Sequence, residues 1–181
     1  MGKVIKFLFV GLQYLKRNYG AQGIAFPLIE KLSSHFDAEY TFVISRKHQR
    51  QEHAFLEKRP LIKGVTSPDH FVILGKCNVL FTPFYPLIRR RLLSKDEKAT
   101  YLLLVNALKE SDVVIDLPGI EFIGNLPLKR RYSGYLNTIS MQWLAEKYDK
   151  IYLTGPIGKQ HRQIANITGH EGLPNTDRTP A

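Results

Sequence analysis

The chain has 181 residues, of which 44% are hydrophobic and 23% charged, a composition typical of a globular domain. The sequence contains no run of about 18 apolar residues, so it does not predict a membrane-spanning helix. A single cysteine excludes an intrachain disulfide and favours the reducing cytoplasm. The net charge of +10 favours anionic partners, namely phosphates, acidic sugars, anionic lipids or nucleic acid. It does not select among them, and a merely solvated basic face is the alternative.

The N-terminal quarter of the chain has the pattern of a βαβ unit. Residues 4–10 predict a strand. Residues 21–36 carry apolar side chains at four-residue spacing, which predicts a helix that begins near Gly23 and holds Pro27 in its first turns. Residues 40–45 are aromatic and β-branched and predict a second strand. A strand, a helix and a strand at this spacing indicate a parallel sheet.

The connection after the first strand is rich in glycine. Gly11 and Gly20 would let backbone N–H groups approach a ligand just before a helix, and Lys16 and Arg17 could add cationic contacts. Neither the G-x-G-x-x-G pattern nor the phosphate-loop lysine motif is present. We therefore treat the two glycines as candidate ligand contacts without a nucleotide fingerprint.

The middle of the chain is less clearly patterned. Residues 46–58 predict a short helix, and residues 71–74 predict a third strand or a buried segment. The histidines lack metal-ligand spacing, so we expect no metal site. Residues 78–93 place aromatic side chains beside three arginines, which favours a buried connection leading into a solvated helix. Docking on an anionic membrane surface is the alternative, and nucleic-acid binding is disfavoured because no recognised module accompanies these residues.

A helix and a buried strand are predicted next. Ser94 and Glu97 form a capping box for a helix that reaches about residue 109. We expect this helix to bury Leu102, Val105 and Leu108. The apolar run within residues 112–117 is short and β-branched, which predicts a buried strand.

Asp116 lies where this predicted strand ends. It is followed within one stretch by an acid, glycines, an amide and cations: Gly119, Glu121, Gly124, Asn125, Lys129, Arg130 and Arg131. Because ligands of open α/β sheets bind outside the carboxyl ends of the strands, this stretch predicts a ligand loop with Asp116 and Glu121 as its acids. The alternative is a β-turn in which Asp116 caps a neighbouring helix and the basic triplet is solvated.

The remaining pattern completes one domain. Residues 133–148 predict a helix with Leu136, Ile139, Trp143 and Leu144 on its apolar stripe, and residues 150–154 predict a last strand. We expect a Rossmann-like α/β domain over residues 1–158, with a mainly parallel sheet and flanking helices. The polar residues 159–181 predict loop or disorder.

Three segments can be compared with a known family. They are the glycine- and asparagine-containing loop after the first strand (residues 11–23), which includes N-Y-G at 18–20; D-V-V-I-D-L-P-G at 112–119 with Glu121 after it; and the strand that reaches G-P at 155–156. In this order and spacing they resemble the N-terminal half of the polysaccharide pyruvyl transferase family, over roughly residues 4–158. The chain has Ala21 where that family usually has an acid, and it has a single glycine where the family's strand-end loop is glycine-rich.

The resemblance implies one lobe of a GT-B-like fold and an enzyme of cell-surface polysaccharide synthesis, cytoplasmic and at the inner face of the membrane. Such enzymes transfer a pyruvyl group from phosphoenolpyruvate to a sugar hydroxyl and use no cofactor. The implied acids near the accepting hydroxyl are Asp116 and Glu121. The implied contacts to substrate, including cations for the donor's phosphate and carboxylate, are Gly11, Asn18, Gly20, Gly119, Asn125, Lys129, Arg130 and Arg131.

Complete members of that family have a second lobe. We therefore expect this chain to be a fragment, a truncated product or a stand-alone lobe, paired with a second lobe or with another copy of itself. A single lobe cannot position both a donor and a sugar or glycan acceptor. The alternatives are a non-catalytic lobe that recognises an anionic glycan or a partner subunit, and a glycosyltransferase-like lobe that binds a nucleotide-sugar.

Overall fold

The computed structural model describes residues 3–12, 14–45, 48–67, 72–74, 78–80, 95–117, 139 and 141–154. These residues contain the strands β1 (Ile5–Val10), β2 (Ala38–Ser45), β3 (Ile62–Ser67), β4 (Val72–Leu74), β5 (Asn78–Leu80), β6 (Val113–Asp116) and β7 (Ile151–Thr154). Five of them form an all-parallel sheet in the order β3-β2-β1-β6-β7. The other two, β4 and β5, pair with each other in antiparallel fashion.

Helical segments connect the strands of the sheet. They are a 3₁₀ turn (Leu15–Arg17), α1 (Tyr19–Ser33), α2 (Gln49–Leu56), α3 (Lys95–Glu110) and α4 (141–147). No described helix combines the length and the apolar character that crossing a bilayer requires. The predicted α/β class with a Rossmann-like parallel sheet is confirmed.

The two central strands explain why the fold class is visible in the sequence. All four residues of β6 and the last four of β1 are buried, because helices cover both faces of a parallel sheet. On one face, Phe7 and Phe9 of β1 pack in a cluster that includes Leu28 and Leu32 of α1. On the other face, Leu8 and Val10 belong to a cluster with side chains from α3, β6 and α4: Leu108, Val114, Met141, Leu144 and Ala145.

Helix α1 begins earlier than predicted. It starts at Tyr19 rather than near Gly23, and Pro27 therefore lies inside the helix instead of in its first turns. A proline cannot donate to the carbonyl four residues earlier, here that of Gly23. The helix nevertheless continues to Ser33, because its buried face packs on the sheet; this face comprises Ala21, Ala25, Leu28, Ile29 and Leu32.

The third strand of the main sheet is not the one predicted. A strand does occur at Val72–Leu74, but it pairs with β5 outside the main sheet. The third parallel strand is β3 (Ile62–Ser67), which hydrogen-bonds along β2. Its sequence, I-K-G-V-T-S, has few apolar residues because it is an edge strand of the sheet. This composition is why the pattern did not reveal it.

The buried faces of α3 and α4 also differ from the prediction. Leu102 is 56% exposed, whereas Leu104, Val105 and Leu108 are buried. In the last helical segment Ile139 is exposed and Trp143 is only partly buried against the second core cluster, whereas the predicted burial of Leu144 is confirmed; Leu136 lies outside the described residues. Ser94, residues 81–94 and the tail 159–181 lie outside the described residues, so the predictions made for them stay predictions.

Asp112 joins three strands at the amino edge of the sheet. Its Oδ2 accepts from the backbone N–H of Lys6 at 3.0 Å, and its Oδ1 accepts from the Lys3 ammonium at 2.6 Å. Its carbonyl accepts from Ile151 N at 3.4 Å. Burial alone would raise the pKa of Asp112, but the hydrogen bonds from Lys3 and Lys6 and the nearby ammonium charges outweigh it and lower the pKa.

Candidate functional site

The candidate site lies where the strand order reverses. From β1 the chain passes through α1 to β2 on one side, while β6 lies against the other side of β1. The two strands end together, since Val10 is paired with Asp116. Open α/β folds bind ligands in the crevice at such a switch point, outside the carboxyl ends of the strands.

Gly11 is the first residue beyond β1, and its geometry requires glycine. Its φ is +81°, a conformation that other residues rarely adopt. A methyl group at this position would lie 2.5 Å from Oδ1 of Asp116 and 3.0 Å from the carbonyl oxygen of Leu117. Leu117 N also donates to the carbonyl of Val10 at 3.1 Å. The backbone after β1 therefore lies directly against the end of β6.

Asp116 is a buried carboxylate at this crevice. The residue is 3% exposed, and its Oδ2 accepts a hydrogen bond from the hydroxyl of Tyr152 on β7. Burial, the charge of Asp116 and this hydrogen bond all raise the pKa of Tyr152. The tyrosine hydroxyl therefore stays protonated and remains a donor to the carboxylate at any physiological pH.

The β1–α1 connection, which we define as residues 11–12 and 14–18, packs against the start of α2. Tyr14 has a φ of 51°, and its ring stacks on that of His48 with centroids 3.8 Å apart. The Tyr14 hydroxyl donates to Oε1 of Gln51 at 2.8 Å. The guanidinium of Arg17 lies 5.8 Å from the centroid of the Tyr14 ring. These contacts hold a non-glycine residue in the left-handed region.

Glu52 reaches from α2 to the same connection. It is 1% exposed, and its Oε1 accepts from the backbone N–H of Lys16 at 3.0 Å. Within the part of the chain that the structure describes, its Oε2 has no hydrogen-bond partner. From the other side, Nε2 of Gln22 donates to the carbonyls of Leu15 and Lys16 at 2.8 and 3.1 Å. Both flanking helices thus fix the backbone at residues 15 and 16.

Asn18 and Gly20 lie at the amino end of α1. The Asn18 Oδ1 accepts from Ala21 N at 3.0 Å and caps the helix. A methyl group at Gly20 would approach that oxygen only to 3.4 Å, and one at Gly23 would meet nothing within 4 Å. Among these three glycines of the predicted loop, only Gly11 is required by the geometry.

The structure brings some of the predicted site residues together. Gly11 and Asp116 are in direct contact, and Asn18 and Gly20 belong to the cap and first turn of α1. The others lie outside the described residues: Gly119, Glu121, Asn125, Lys129, Arg130 and Arg131. Their roles, and the catalytic role of Asp116, stay predictions.

Sequence reasoning missed the residues that hold the β1–α1 connection and the donor to Asp116. One of them had a detectable signal, because Glu52 lies four residues before Leu56 and therefore on the same face of α2. A carboxylate on a buried helical face is rare unless it has a specific role. Tyr14, His48 and Tyr152 had no comparable signal, since aromatic residues are common in any core.

Three comparisons with known proteins were made, and none relates the chain to another protein. A scan against protein-family models found no match, and neither the curated proteins nor the solved structures contained a significant match.

Among the described residues, no three His, Cys, Asp or Glu side chains come together as metal ligands would.

Proposed function

We propose that this chain is a lobe of a pyruvyl transferase-like protein of cell-surface polysaccharide synthesis. The reaction moves a pyruvyl group from phosphoenolpyruvate onto sugar hydroxyls and releases phosphate. The observation that carries the proposal is the contact between Gly11 and the Asp116 carboxylate at the switch point of the sheet. This is where an open α/β sheet binds its ligand, and both residues belong to segments in which the chain resembles that family.

The proposed chemistry needs an acid–base group and cations. Asp116 and Glu121 are the candidates for proton transfer at the accepting hydroxyl. Lys129, Arg130 and Arg131 are the candidates for neutralising the donor's phosphate and carboxylate, since arginine meets either group in a bidentate fork. The amino end of α1 adds backbone N–H groups and a partial positive charge beside Asn18 and Gly20. The net charge of +10 agrees in sign with a dianionic or trianionic donor.

A second candidate is a non-catalytic lobe that binds an anionic glycan or a partner subunit. One observation favours it: Asp116 is 3% exposed and already accepts from Tyr152. A carboxylate held in this way is suited to keeping the ends of β1 and β6 together. To act as a base, it would have to become accessible to the sugar hydroxyl.

Ligand-induced thermal shift on the purified chain distinguishes the candidates. A ligand that binds only the native state raises the apparent melting temperature with its occupancy. Phosphoenolpyruvate should raise it, and replacing Lys129, Arg130 and Arg131 together by alanine should remove the rise. The matched control removes three exposed lysines elsewhere, Lys31, Lys58 and Lys98, and should retain it.

Asp116→Asn tests the catalytic role separately. The asparagine keeps the shape of the side chain, so phosphoenolpyruvate binding should persist while transfer, assayed with a second lobe or a second copy present, should fall about 100-fold or more. Equal transfer by wild type and variant would contradict the role of Asp116. If the melting temperature rises with a nucleotide-sugar but not with phosphoenolpyruvate, the donor is a nucleotide-sugar and the lobe is glycosyltransferase-like. If neither compound raises it, the non-catalytic lobe is favoured.

A further inference from the structure

The β1–α1 connection has an unusual backbone that its own sequence does not explain. Tyr14 lies at φ 51° without being glycine, a conformation that is unfavourable for a residue with a side chain. Its ring and hydroxyl are both held by α2, through His48 and Gln51. The conformation of this connection is therefore imposed from outside, by the helix that packs beside it.

Glu52 is the most deeply buried of these contacts from α2. Its one hydrogen bond with a described residue goes to the backbone N–H of Lys16, two residues after Tyr14. Burying a carboxylate with one oxygen satisfied and the other without a partner among the described residues is unfavourable. A leucine would occupy the same buried position without that penalty. Packing alone therefore does not account for an acid at this position.

We propose that Glu52 is a positioning residue of the candidate ligand site: its carboxylate sets the backbone of the β1–α1 connection in the shape that receives the ligand. The connection leads from Gly11, which contacts Asp116, to Asn18, which caps α1. Fixing Lys16 between these two points fixes the direction of the backbone that lines the crevice. Glu52 itself does not touch the reacting atoms.

The part of this inference that concerns ligand affinity rests on the proposed function, whereas the part that concerns the backbone does not. A ligand bound by backbone N–H groups binds more weakly when those groups are not already ordered in the free protein. The free-energy cost of ordering them then reduces the binding free energy. Loss of the hydrogen bond between Glu52 and the Lys16 backbone should therefore weaken ligand binding without altering the groups that contact the ligand. An ordinary loss of core packing should lower global stability and leave this connection unaffected.

Hydrogen exchange and phosphoenolpyruvate titration on the full chain separate these effects. Glu52→Ala should raise amide exchange at residues 14–18 about tenfold relative to β1 and weaken phosphoenolpyruvate binding about tenfold, as expected for losing one hydrogen bond. Glu52→Gln keeps an acceptor oxygen of the same reach, so exchange and affinity should both stay within about twofold of wild type. Leu56→Ala is the matched control, because Leu56 is equally buried on the same helix and contacts the β3 side at Gly64.

The control should lower the melting temperature while leaving exchange at residues 14–18, relative to β1, and ligand affinity unchanged. If Glu52→Ala behaves like Leu56→Ala in both measurements, the positioning role is wrong. If wild type binds no phosphoenolpyruvate, the proposed function fails, but the exchange measurement still decides the role of Glu52. If Glu52→Ala does not fold, Glu52→Asp withdraws the carboxylate by one methylene and provides the same comparison.

Discussion

Gly11 and Asp116 lie side by side at the carboxyl ends of β1 and β6, so closely that a methyl group on the glycine would approach Oδ1 of the aspartate to 2.5 Å. The contact joins the first and the fourth strands of the parallel sheet in chain order, at the point where the strand order reverses. It places the backbone after β1 directly against the end of β6. Because of this contact, a side chain at position 11 could be accommodated only if Asp116 or Leu117 moved.

Gly11→Ala should destabilise the fold by about 2 kcal/mol or more. The alanine must adopt a φ of +81°, which costs about 1–2 kcal/mol, and its Cβ must displace either Asp116 or the backbone of Leu117. Denaturant unfolding measures the effect. Gly23→Ala is the control, since Gly23 lies in α1 with open space around it, and it should instead stabilise by about 0.5–1 kcal/mol. Equal stabilities of the two variants would refute the contact.

Tyr152→Phe should destabilise the fold at neutral pH by about 1–3 kcal/mol, because it removes a hydrogen-bond donor from the buried Asp116. It should also change the response to alkali. The pKa of Tyr152 is raised in the folded state, so the stabilisation is complete below the unfolded value of about 10 and is lost as the pH rises above it. Chemical denaturation between pH 8 and 11 should therefore show a shallower alkaline decline in the variant. Parallel curves for the two proteins would contradict the shift.

Asn18→Ala should cost about 1 kcal/mol, the usual effect of losing an N-cap, because Asn18 Oδ1 accepts from Ala21 N at 3.0 Å. Asn18→Ser and Asn18→Asp both keep a capping oxygen and should keep the stability. The set also separates capping from ligand binding. If Asn18 contacts phosphoenolpyruvate as the resemblance implies, Asn18→Asp should weaken binding at unchanged stability, because it places a negative charge beside an anion. Unchanged affinity in Asn18→Asp would leave Asn18 with the capping role alone.

Asp112→Asn should make the protein less sensitive to acid. The pKa of Asp112 is lowered in the folded state, so its contribution is present above the unfolded value of about 4 and is lost as the pH falls through and below that value. Wild type should therefore lose more free energy of unfolding between pH 5 and 2 than the variant. Asp37→Asn, at an exposed position, is the control and should follow wild type. An Asp112→Asn curve that also follows wild type would show that the lysine contacts do not persist in solution.

The fold class could be predicted from the sequence because the apolar composition of the central strands indicates a buried parallel sheet. In β1 and β6 nearly every side chain is buried, and a strand covered on both faces is apolar along most of its length. The edge strand β3 escaped prediction for the opposite reason. Its residues I-K-G-V-T-S are polar enough to be a loop, and only pairing with β2 makes them a strand.

In the candidate site, too, some features follow from the local sequence and others only from the tertiary fold. Asp116 could be located from the sequence because it follows a buried strand, and the carboxyl end of such a strand is where ligands bind. Its contacts with Gly11 and Tyr152 could not be derived, since the order in which parallel strands assemble depends on how the whole sheet buries its apolar surface. Glu52 shows most clearly what the local sequence can and cannot predict. Its position on a helical face follows from local periodicity, but its bond to the Lys16 backbone exists only because the tertiary fold packs α2 against the connection that leaves β1.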